Sequence, residues 1–521
     1  MPYDELDLLL GQMFIFGFHG LIVDRPLADW YRKRPVGGII LFERNCQNKD
    51  QIQALIAELK SLARSIQPDL PLLVGIDQEG GSLSPLRGIV TSLPGNMGLA
   101  ATGDPEAAYF AGTVTGSDLT ALGFNLNFAP VLDLALTFNP VVGTRAFSDQ
   151  PENTAKFGRE FARGLAAAGV LFSAKHFPGH GCCTADSHVE LPSCPDPMAV
   201  LAARDMHPFK AVRDIPGLAL MMAHVKYAAL DPDRPASLSP QAARYIRQEM
   251  GFDGVLLTDC LEMKAIQQTL PYPEDAVAAI SAGMDLVLIS HTPEHQEASF
   301  RAVKDAVRAG RIPIARIEEA VKRIGQWKKQ LDKGLPPSGK VTEAGMDARG
   351  TARLAEQALT LYRATPVSWQ FDARPLTLIT PEMSKVTLAE SLGELRDLED
   401  ELTDCSIRWE RIRCRHNPDS AELERVIAAQ RQSGNPRVVL IISNPLAAPG
   451  QVKLIAELAR EAPLLLVCTR NPGEYQALNL DLPVVFTYST EAAVLRALAR
   501  VLAGKGVPGG KVPLTWFPAR V

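Results

Sequence analysis

The chain has 521 residues, enough for two or more domains that each bury a core of their own. Hydrophobic residues make up 46% of the chain and charged residues 22%, as in an ordinary water-soluble globular protein. The net charge of −5, with Lys and Arg scattered along the chain, argues against nucleic acid as a partner.

The N-terminal segment does not have the pattern of a targeting signal. Residues 1–7 carry acidic side chains where a signal peptide carries Lys or Arg. The apolar residues that follow, 8–20, are interrupted by glycines and polar side chains, and no stretch is long and apolar enough to predict a membrane span. We therefore expect a cytoplasmic protein without a membrane span.

One rhythm repeats through residues 1–330: a short apolar run, a polar or glycine-containing ending, and a longer helical pattern. The apolar runs are residues 13–18, 38–42, 72–76, 126–130, 170–174, 219–223, 254–257 and 286–289. Continuous apolar strands separated by helices are typical of a parallel sheet that is buried on both faces. Eight such units predict an α/β fold, a (β/α)8 TIM barrel, over residues 1–330.

Polar side chains follow nearly every predicted strand, which favours a closed barrel over an open, doubly wound sheet. The loops after all barrel strands meet at one face, whereas a doubly wound sheet concentrates function at one switch point. The polar groups are Glu43-Arg44-Asn45, Asp77-Gln78-Glu79, Lys175-His176, His224, Asp259 and His291. We therefore expect the functional groups at the mouth of the barrel.

The remaining residues predict a linker and a second domain. Residues 331–375 contain a Pro- and Gly-rich stretch, 335–339, followed by a connecting helix over 344–363. In residues 376–521 the predicted strands are 376–380, 438–443, 464–469 and 484–487, and the helical patterns include 421–432 and 490–503. This predicts a smaller α/β sandwich with an open parallel sheet, and it has no glycine loop that would cradle phosphates.

The densest cluster of chemistry-bearing residues is KHFPGHGCCTADSH, from Lys175 to His188. It begins at the end of the fifth predicted strand and continues into a loop rich in Gly and Pro, which can carry a mobile catalytic group. In Asp186-Ser187-His188, an extended backbone places Asp and His on the same side. The carboxylate can then hold one imidazole nitrogen while the other faces a substrate.

These residues allow two other interpretations. The histidines can be polar groups of a structural loop, or His176, His180 and His188 can bind a metal ion together with the adjacent Cys182 and Cys183. Adjacent cysteines rarely bind one ion together, and the chain has no Cys-x-x-Cys spacing. Catalysis is therefore favoured over metal binding.

Two acidic residues are further candidates, each with an ordinary alternative. Asp259 follows an apolar strand directly, where an aspartate can also serve as a helix cap. Asp77 stands close to two glycines, which suggests a tight turn where the backbone approaches a ligand, although an exposed turn has the same composition.

Taken together, these segments resemble family 3 glycoside hydrolases, and among them the β-N-acetylglucosaminidases that recycle cell-wall sugars. The segments that carry the resemblance are 37–45 (GGIILFERN), 77–81 (DQEGG), 125–133 (NLNFAPVLD), 143–147 (GTRAF), 175–188 and 254–263 (GVLLTDCLEM). They follow the family's order, and the KHFPGHG run followed by Asp-x-His is highly specific. The family's fold is the barrel predicted above, often with a second α/β domain.

The resemblance implies a role for individual residues. Asp259 matches the family's nucleophile, His188 its general acid/base, and Asp186 the partner of that histidine. The positions that hold the sugar's hydroxyls are matched by Asp77, Arg145, Lys175 and His176. The implied reaction is a double displacement on a terminal β-linked N-acetylglucosaminide, through a covalent glycosyl-aspartate and without a metal or organic cofactor.

Two positions depart from the family's pattern. Pro85 stands where the family usually has an arginine, eight residues after Asp77, that helps to grip the sugar, and Arg87 is the nearest candidate to replace it. Cys182 and Cys183 stand where Gly-Asp-Thr is common, and vicinal thiols at the mouth of a site can be reactive. Both departures put tight specificity in doubt and leave the catalytic residues unchanged.

Three other functions remain open at this point. A phosphorylase of the same family would pass the sugar to inorganic phosphate, since a histidine does not repel that anion as a carboxylate would. The departures at Pro85 and at the cysteine pair also allow a sugar-binding relative without activity. A metalloenzyme is the third alternative.

Overall fold

The computed structural model describes residues 4–136, 142–183, 190–333, 348–362, 371–382 and 395–518. Asp186 and His188, two of the predicted catalytic residues, lie outside the described residues, as does most of the predicted Pro- and Gly-rich linker.

The first part of the chain alternates strands and helices. Its strands are β1 (Phe14–Phe16), β2 (Gly38–Ile40), β3 (Leu73–Ile76), β4 (Leu126–Asn127), β5 (Leu171–Phe177), β6 (Ser193–Cys194), β7 (Leu218–Met222), β8 (Lys226–Tyr227), β9 (Asp231–Pro235), β10 (Val255–Cys260) and β11 (Leu286–Ile289). Its helices are α1 (Glu5–Gly11), α2 (Arg25–Lys33), α3 (Lys49–Ile66), α4 (Asn96–Ala101), α5 (Pro105–Leu122), α6 (Pro151–Ala167), α7 (Met198–Ala203), α8 (His207–Val212), α9 (Pro240–Gln248), α10 (Lys264–Gln267), α11 (Glu274–Ala282), α12 (Pro293–Arg308) and α13 (Ile314–Lys333).

Eight parallel strands close a barrel in the order β1-β2-β3-β4-β5-β7-β10-β11, with β11 paired to β1. Each of the eight predicted apolar runs overlaps one of these strands, so the TIM-barrel prediction is confirmed. The remaining three strands, β6, β8 and β9, form a small separate sheet.

The outer helices follow from local sequence signals. Helix α3 begins after Asn48, whose side chain accepts a hydrogen bond from the main-chain N–H of Gln51. Its buried residues recur every three or four positions and form one face: Ile52, Leu55, Ile56, Leu59 and Ala63. Helix α5 ends at Leu122, and the capping residue Gly123 has a φ of 96°, a conformation that glycine adopts without a steric penalty. Amphipathic helices of this kind cover the outside of the barrel.

The C-terminal part forms a second, smaller sheet flanked by helices. Its strands are β12 (Thr360–Tyr362), β13 (Leu376–Pro381), β14 (Trp409–Cys414), β15 (Val438–Ile442), β16 (Leu464–Cys468) and β17 (Val484–Phe486). Its helices are α14 (Ala348–Ala358), α15 (Arg396–Asp404), α16 (Ser420–Ser433), α17 (Pro449–Glu461), α18 (Pro472–Ala477) and α19 (Ala492–Leu502). The strand order is β12-β17-β16-β15-β13-β14, and the four predicted strands are all present.

The sheet differs from the prediction at its two edges. The connecting helix predicted over residues 344–363 ends at Ala358, and the next residues form β12, which pairs antiparallel with β17. Tyr362 packs its ring against Phe486 and Phe517 there, with the Phe517 centroid at 4.9 Å, so tertiary packing overrides the helical pattern. The other edge is β14, which was not predicted because its exposed and buried residues alternate.

Within the residues that the structure describes, no helix combines the length and the apolar character needed to cross a membrane.

Candidate active site

The mouth of the barrel, where the carboxyl ends of the parallel strands meet, collects five of the residues that the sequence nominated. They arrive on separate elements: Asp77 directly after β3, Lys175 and His176 near the end of β5, Asp259 near the end of β10, and Arg145 from a single 3-10 turn after β4. Ion pairs connect Asp77, Lys175 and Arg145, and His176 lies next to Asp259.

A network of buried charges occupies one side of the mouth. Lys175 Nζ lies 2.6 Å from Asp77 Oδ1 and 2.6 Å from Glu79 Oε1. Arg145 donates from Nε to Glu79 Oε2 and from Nη2 to Glu79 Oε1, both at 2.8 Å. Glu79 is therefore the common anchor of both cations, and its side chain is only 1% exposed.

The pKa shifts in this network follow from burial and charge together. Burial alone would raise the pKa of Glu79, but Arg145 and Lys175 outweigh burial and lower this pKa to about 2. Burial alone would lower the pKa of Lys175 and that of Arg145, but the neighbouring carboxylates outweigh it and raise both. All three groups are therefore charged at neutral pH.

Asp77 differs from Glu79 in its access to the opening. The Asp77 side chain is 21% exposed, whereas the Lys175 side chain that binds it is 3% exposed. Asp77 can therefore accept hydrogen bonds from a ligand's hydroxyl groups while Glu79 fixes the cations behind it. This division of roles suits a site that binds a polyhydroxylated molecule.

His176 lies between two carboxylates. Its Nδ1 is 2.6 Å from Asp133 Oδ2, and its Nε2 is 3.8 Å from Asp259 Oδ2, which is too long for a hydrogen bond. The other oxygen of Asp133 accepts the main-chain N–H groups of His176 and His180. Asp133 thus fixes both the ring and the backbone of the histidine that faces Asp259.

Asp133 is an ionised and fully buried anchor. Burial would raise its pKa, but the interactions with His176 and His180 together outweigh burial and lower the pKa to about 2. Burial lowers the pKa of His180 to about 4, so the His180 ring is neutral at neutral pH. The ring of His180 therefore adds no charge to the mouth.

Asp259 has the geometry of an oriented carboxylate. Its Oδ1 accepts the main-chain N–H of Cys260 at 2.7 Å, and its side chain is 23% exposed. Because one oxygen is held in this way, the orientation of the other is set. A partly exposed, oriented carboxylate at the end of a barrel strand is suited to nucleophilic attack.

Glu79 and Asp133 belong to the site but were not among the predicted site residues. Both stand within segments that carry the family resemblance, 77–81 and 125–133, so the available signal was an acidic residue shortly after a buried strand. Their importance comes from burial, since a buried carboxylate requires a partner, and burial cannot be read from the sequence.

The cysteine pair does not consist of two free thiols. Cys182 forms a disulfide with Cys194, and Cys183 is a buried thiol. Burial raises the pKa of Cys183 to about 12, so its thiolate population at neutral pH is very small. The expectation of a reactive vicinal pair is therefore wrong, and Cys182 has no thiolate to offer a metal ion.

Arg87 does not take over the role of the arginine that the family usually has at position 85. Pro85 is buried, and the Arg87 guanidinium donates to the main-chain oxygens of Gly81 and Thr490 and pairs with Glu491 at 3.1 Å. Arg87 thus holds the chain to the second domain, and it is not a substitute for an arginine that grips a sugar.

A second group of potential metal ligands adjoins Asp259. The ligand atoms of Cys260, Glu262 and His291 lie within 4.8 Å of one another. The Glu262 carboxylate, however, already accepts three main-chain N–H groups, from residues 290 to 292, at 2.6–2.8 Å. Those contacts join the loops after β10 and β11, and we interpret the group as a structural link.

Known proteins of one glycoside hydrolase family are similar to this chain. The model of the glycosyl hydrolase family 3 N terminal domain matches residues 6–326. A β-hexosaminidase of Alkalilimnicola ehrlichii is 36% identical over 350 residues, which cover 64% of this chain and 98% of that protein. A β-hexosaminidase of Methylococcus capsulatus is 35% identical over 320 residues, 57% of this chain and 91% of that protein.

One solved structure is similar over both domains. It is a glycoside hydrolase family 3 β-N-acetylglucosaminidase from Paenibacillus sp. str. FPU-7, which is 34% identical to this chain. The two superpose with a TM-score of 0.91, and the match covers 100% of each chain.

Proposed function

The chain belongs to glycosyl hydrolase family 3, and on this premise we propose that it hydrolyses terminal β-linked N-acetylglucosamine with retention of configuration. The names of its relatives, β-hexosaminidase and β-N-acetylglucosaminidase, support this substrate class. The single observation that carries the proposal is the convergence of Asp259, the His176–Asp133 pair and the Lys175 charge network at one mouth.

Asp259 is the nucleophile in this proposal. Its Oδ2 attacks the anomeric carbon, and a bond forms between them as the bond from that carbon to the leaving oxygen breaks. Because Cys260 fixes Oδ1, the attacking oxygen needs little reorientation, and this lowers the entropic part of the barrier. The product is a covalent glycosyl-aspartate.

The charge network and His176 hold the sugar. Asp77 accepts hydrogen bonds from hydroxyl groups, and Arg145 and Lys175 donate to oxygens of the same ring. When Nδ1 of His176 carries the proton that binds Asp133, its Nε2 is left to accept a hydrogen bond from a further hydroxyl. These bonds position the anomeric carbon in front of Asp259.

His188 is proposed as the general acid/base and Asp186 as its partner, on the resemblance of their segment to the family. His188 gives a proton to the leaving oxygen in the first step and takes one from water in the second, when that water cleaves the glycosyl-aspartate. The second displacement at the anomeric carbon restores the β configuration.

The test is a screen of 4-nitrophenyl β-glycosides of glucose, xylose and N-acetylglucosamine, with and without phosphate and with and without a chelator. We expect turnover of the N-acetylglucosaminide to free sugar, with the β-anomer appearing first by NMR, at a rate that phosphate and the chelator leave unchanged. Sugar 1-phosphate as the product would replace the proposal with a phosphorylase. Loss of activity on chelation would indicate a metalloenzyme, and sugar binding without turnover would indicate a non-catalytic relative.

Muropeptide fragments and chitin oligomers then extend the same screen to natural substrates. A preference for the muropeptide fragments would support a role in recycling cell-wall sugars.

A further inference from the structure

We propose that the C-terminal domain positions the sugar-binding charges of the barrel, with Glu491 and Trp516 as the positioning residues. Two segments of the barrel mouth are involved, which we call the Asp77 loop (residues 77–95) and the Arg145 loop (residues 142–150). The inference rests on the proposed function, because it concerns how the same site binds its sugar.

The first contact reaches the Asp77 loop through Arg87. Arg87 donates to Gly81 O at 2.7 Å within the loop and to Thr490 O at 2.9 Å in the C-terminal domain, and it pairs with Glu491 at 3.1 Å. Gly81 is two residues beyond Glu79, the anchor of Arg145 and Lys175. The arginine therefore joins the backbone beside the charge network to the second domain.

Glu491 is a buried carboxylate at this interface. Its side chain is 3% exposed, it accepts a hydrogen bond from Ser92 Oγ at 2.9 Å, and Ser92 in turn accepts the main-chain N–H of Ala493. A buried carboxylate is tolerated where its partners are fixed. The Glu491 side chain thus binds both ends of the Asp77 loop, near Gly81 through Arg87 and at Ser92 directly.

Close backbone packing also holds the Asp77 loop near the C-terminal domain. A Cβ placed on Gly81 would lie 2.7 Å from the Cα of Gly95 and 3.8 Å from the Ser489 side chain. The two glycines allow the start and the end of the Asp77 loop to touch, and the contact faces the segment that contains Glu491.

The second contact reaches the Arg145 loop through the C-terminal tail (residues 513–516). Asp149 accepts the main-chain N–H of Thr515 at 2.9 Å, and Ser148 Oγ donates to Pro513 O at 2.6 Å. Trp516 Nε1 donates to Ala135 O at 2.8 Å, two residues beyond Asp133. The tail therefore holds the chain on both sides of residues 137–141.

The two contacts converge on one ion pair. Glu79 and Arg145 lie on different loops of the barrel, so the geometry of their pair depends on what holds the two loops relative to each other. The C-terminal domain reaches both loops. Glu491 binds the Asp77 loop, and Trp516 binds Ala135, whose main-chain N–H donates to Ser148 O of the Arg145 loop at 3.1 Å. Loosening either contact should misplace the groups that hold the sugar while Asp259 keeps its own support from Cys260.

The test uses two conservative variants of the full chain, each with a matched control. Glu491→Gln removes the buried charge, and its control Glu474→Gln removes a carboxylate that is also 3% exposed but bonds Asn444 within the C-terminal domain. Trp516→Phe removes the donor to Ala135, and its control Trp409→Phe removes a donor to Thr403 within that domain. Ser92→Ala is a milder alternative to Glu491→Gln.

The kinetic readout is the division of the effect between KM and kcat for the 4-nitrophenyl N-acetylglucosaminide. We expect KM to rise about five- to tenfold in Glu491→Gln and Trp516→Phe, with kcat changed less than about threefold, because binding that is shared by the ground and transition states is lost. The two controls should stay within twofold of the wild type. The effect of Glu491→Gln should shrink when Glu79→Gln is already present, since the ion pair is then broken.

A second readout does not depend on catalysis. In hydrogen exchange, Glu491→Gln should speed exchange in peptides from the Asp77 loop, and Trp516→Phe in peptides from the Arg145 loop, with neither control doing so. This readout separates the inference from the proposed function. An inactive wild-type protein would refute the function, and hydrogen exchange would still test whether Glu491 and Trp516 hold the two loops. Unchanged KM together with unchanged exchange in folded Glu491→Gln, Ser92→Ala and Trp516→Phe would overturn the inference.

Discussion

Glu79 and Arg145 meet through two parallel 2.8 Å hydrogen bonds, although the chain between them passes through a complete strand of the barrel. Bidentate pairs of this kind fix direction as well as distance. The pair therefore sets the position of Arg145 at the mouth from a carboxylate that is itself buried.

Glu79→Gln should lower the free energy of unfolding at pH 7 by about 3 kcal/mol, because it leaves Arg145 and Lys175 buried with less compensation. The pKa of Glu79 is about 2 in the folded protein, below its ordinary value of 4.5. Its contribution to stability is thus fully present above pH 4.5 and is lost as the pH falls towards 2. Denaturant unfolding from pH 7 to 2.5 should show the two proteins converging at low pH, with exposed Glu410→Gln as the control. A difference that does not change with pH would contradict this account.

Asp133→Asn should lower kcat/KM by about 10- to 100-fold, the loss expected for one charge-assisted hydrogen bond. An amide at this position can donate to Nδ1 of His176 and thereby favour the other tautomer, which changes what Nε2 offers to the sugar. Steady-state kinetics over a pH series are the measurement. If a folded Asp133→Asn protein had wild-type kinetics, the proposed role of His176 in sugar binding would be contradicted.

Asp259→Ala should lower turnover by several orders of magnitude without loss of folding, since the described hydrogen bond of its side chain is local. Azide should restore part of the turnover, because it can enter the space that the carboxylate leaves. The azide adduct should have the α configuration, as a single displacement inverts the anomeric carbon. A β-azide product, or near-normal hydrolysis without azide, would reject Asp259 as the nucleophile.

His188→Ala should slow the first step strongly for poor leaving groups and much less for good ones. A general acid contributes about 10²- to 10⁴-fold only where the leaving oxygen needs a proton. Pre-steady-state rates for 2,4-dinitrophenyl and 4-methylphenyl N-acetylglucosaminides measure the contrast. Equal losses for both substrates would argue against the acid role.

Cys194→Ser should lower the free energy of unfolding by about 2–3 kcal/mol, because it opens a covalent ring between residues 12 positions apart in the sequence. The same ring contains Asp186 and His188, so we expect kcat to fall as well. A thiol reductant should reproduce both effects in the wild type and add nothing to Cys194→Ser. The control is Cys46→Ser, at a free and half-buried cysteine; reductant effects that persist in Cys194→Ser would point to a different thiol.

The barrel was predictable from the sequence because its strands are continuous apolar runs, which a sheet buried on both faces requires. Strand β14 was not predictable in the same way, since Trp409-Glu-Arg-Ile-Arg-Cys alternates exposed and buried side chains at an edge of the sheet. Strand β12 follows a helix directly, and its pairing with β17 is a tertiary contact that local pattern does not encode.

Some features of the candidate site were also predictable from the sequence, and others depend on tertiary contacts. Asp77, Lys175 and Asp259 stand directly at the ends of apolar runs, so their place at the mouth follows from the barrel itself. The contact of Arg87 with the second domain could not be predicted from the sequence pattern, because its partner Glu491 is 404 positions away in the sequence. The Cys182–Cys194 bond likewise depends on a Cα separation of 5.8 Å that only the fold creates.

The antiparallel pairing of β12 with β17 has a practical consequence for anyone who wishes to express the C-terminal domain alone. A fragment starting at residue 376 would lack β12, and the outer hydrogen-bonding groups of β17 would face solvent. Bare sheet margins recruit strands from other molecules and promote precipitation. A fragment that begins ahead of Thr360 retains β12 and should remain monodisperse at concentrations where the shorter fragment aggregates.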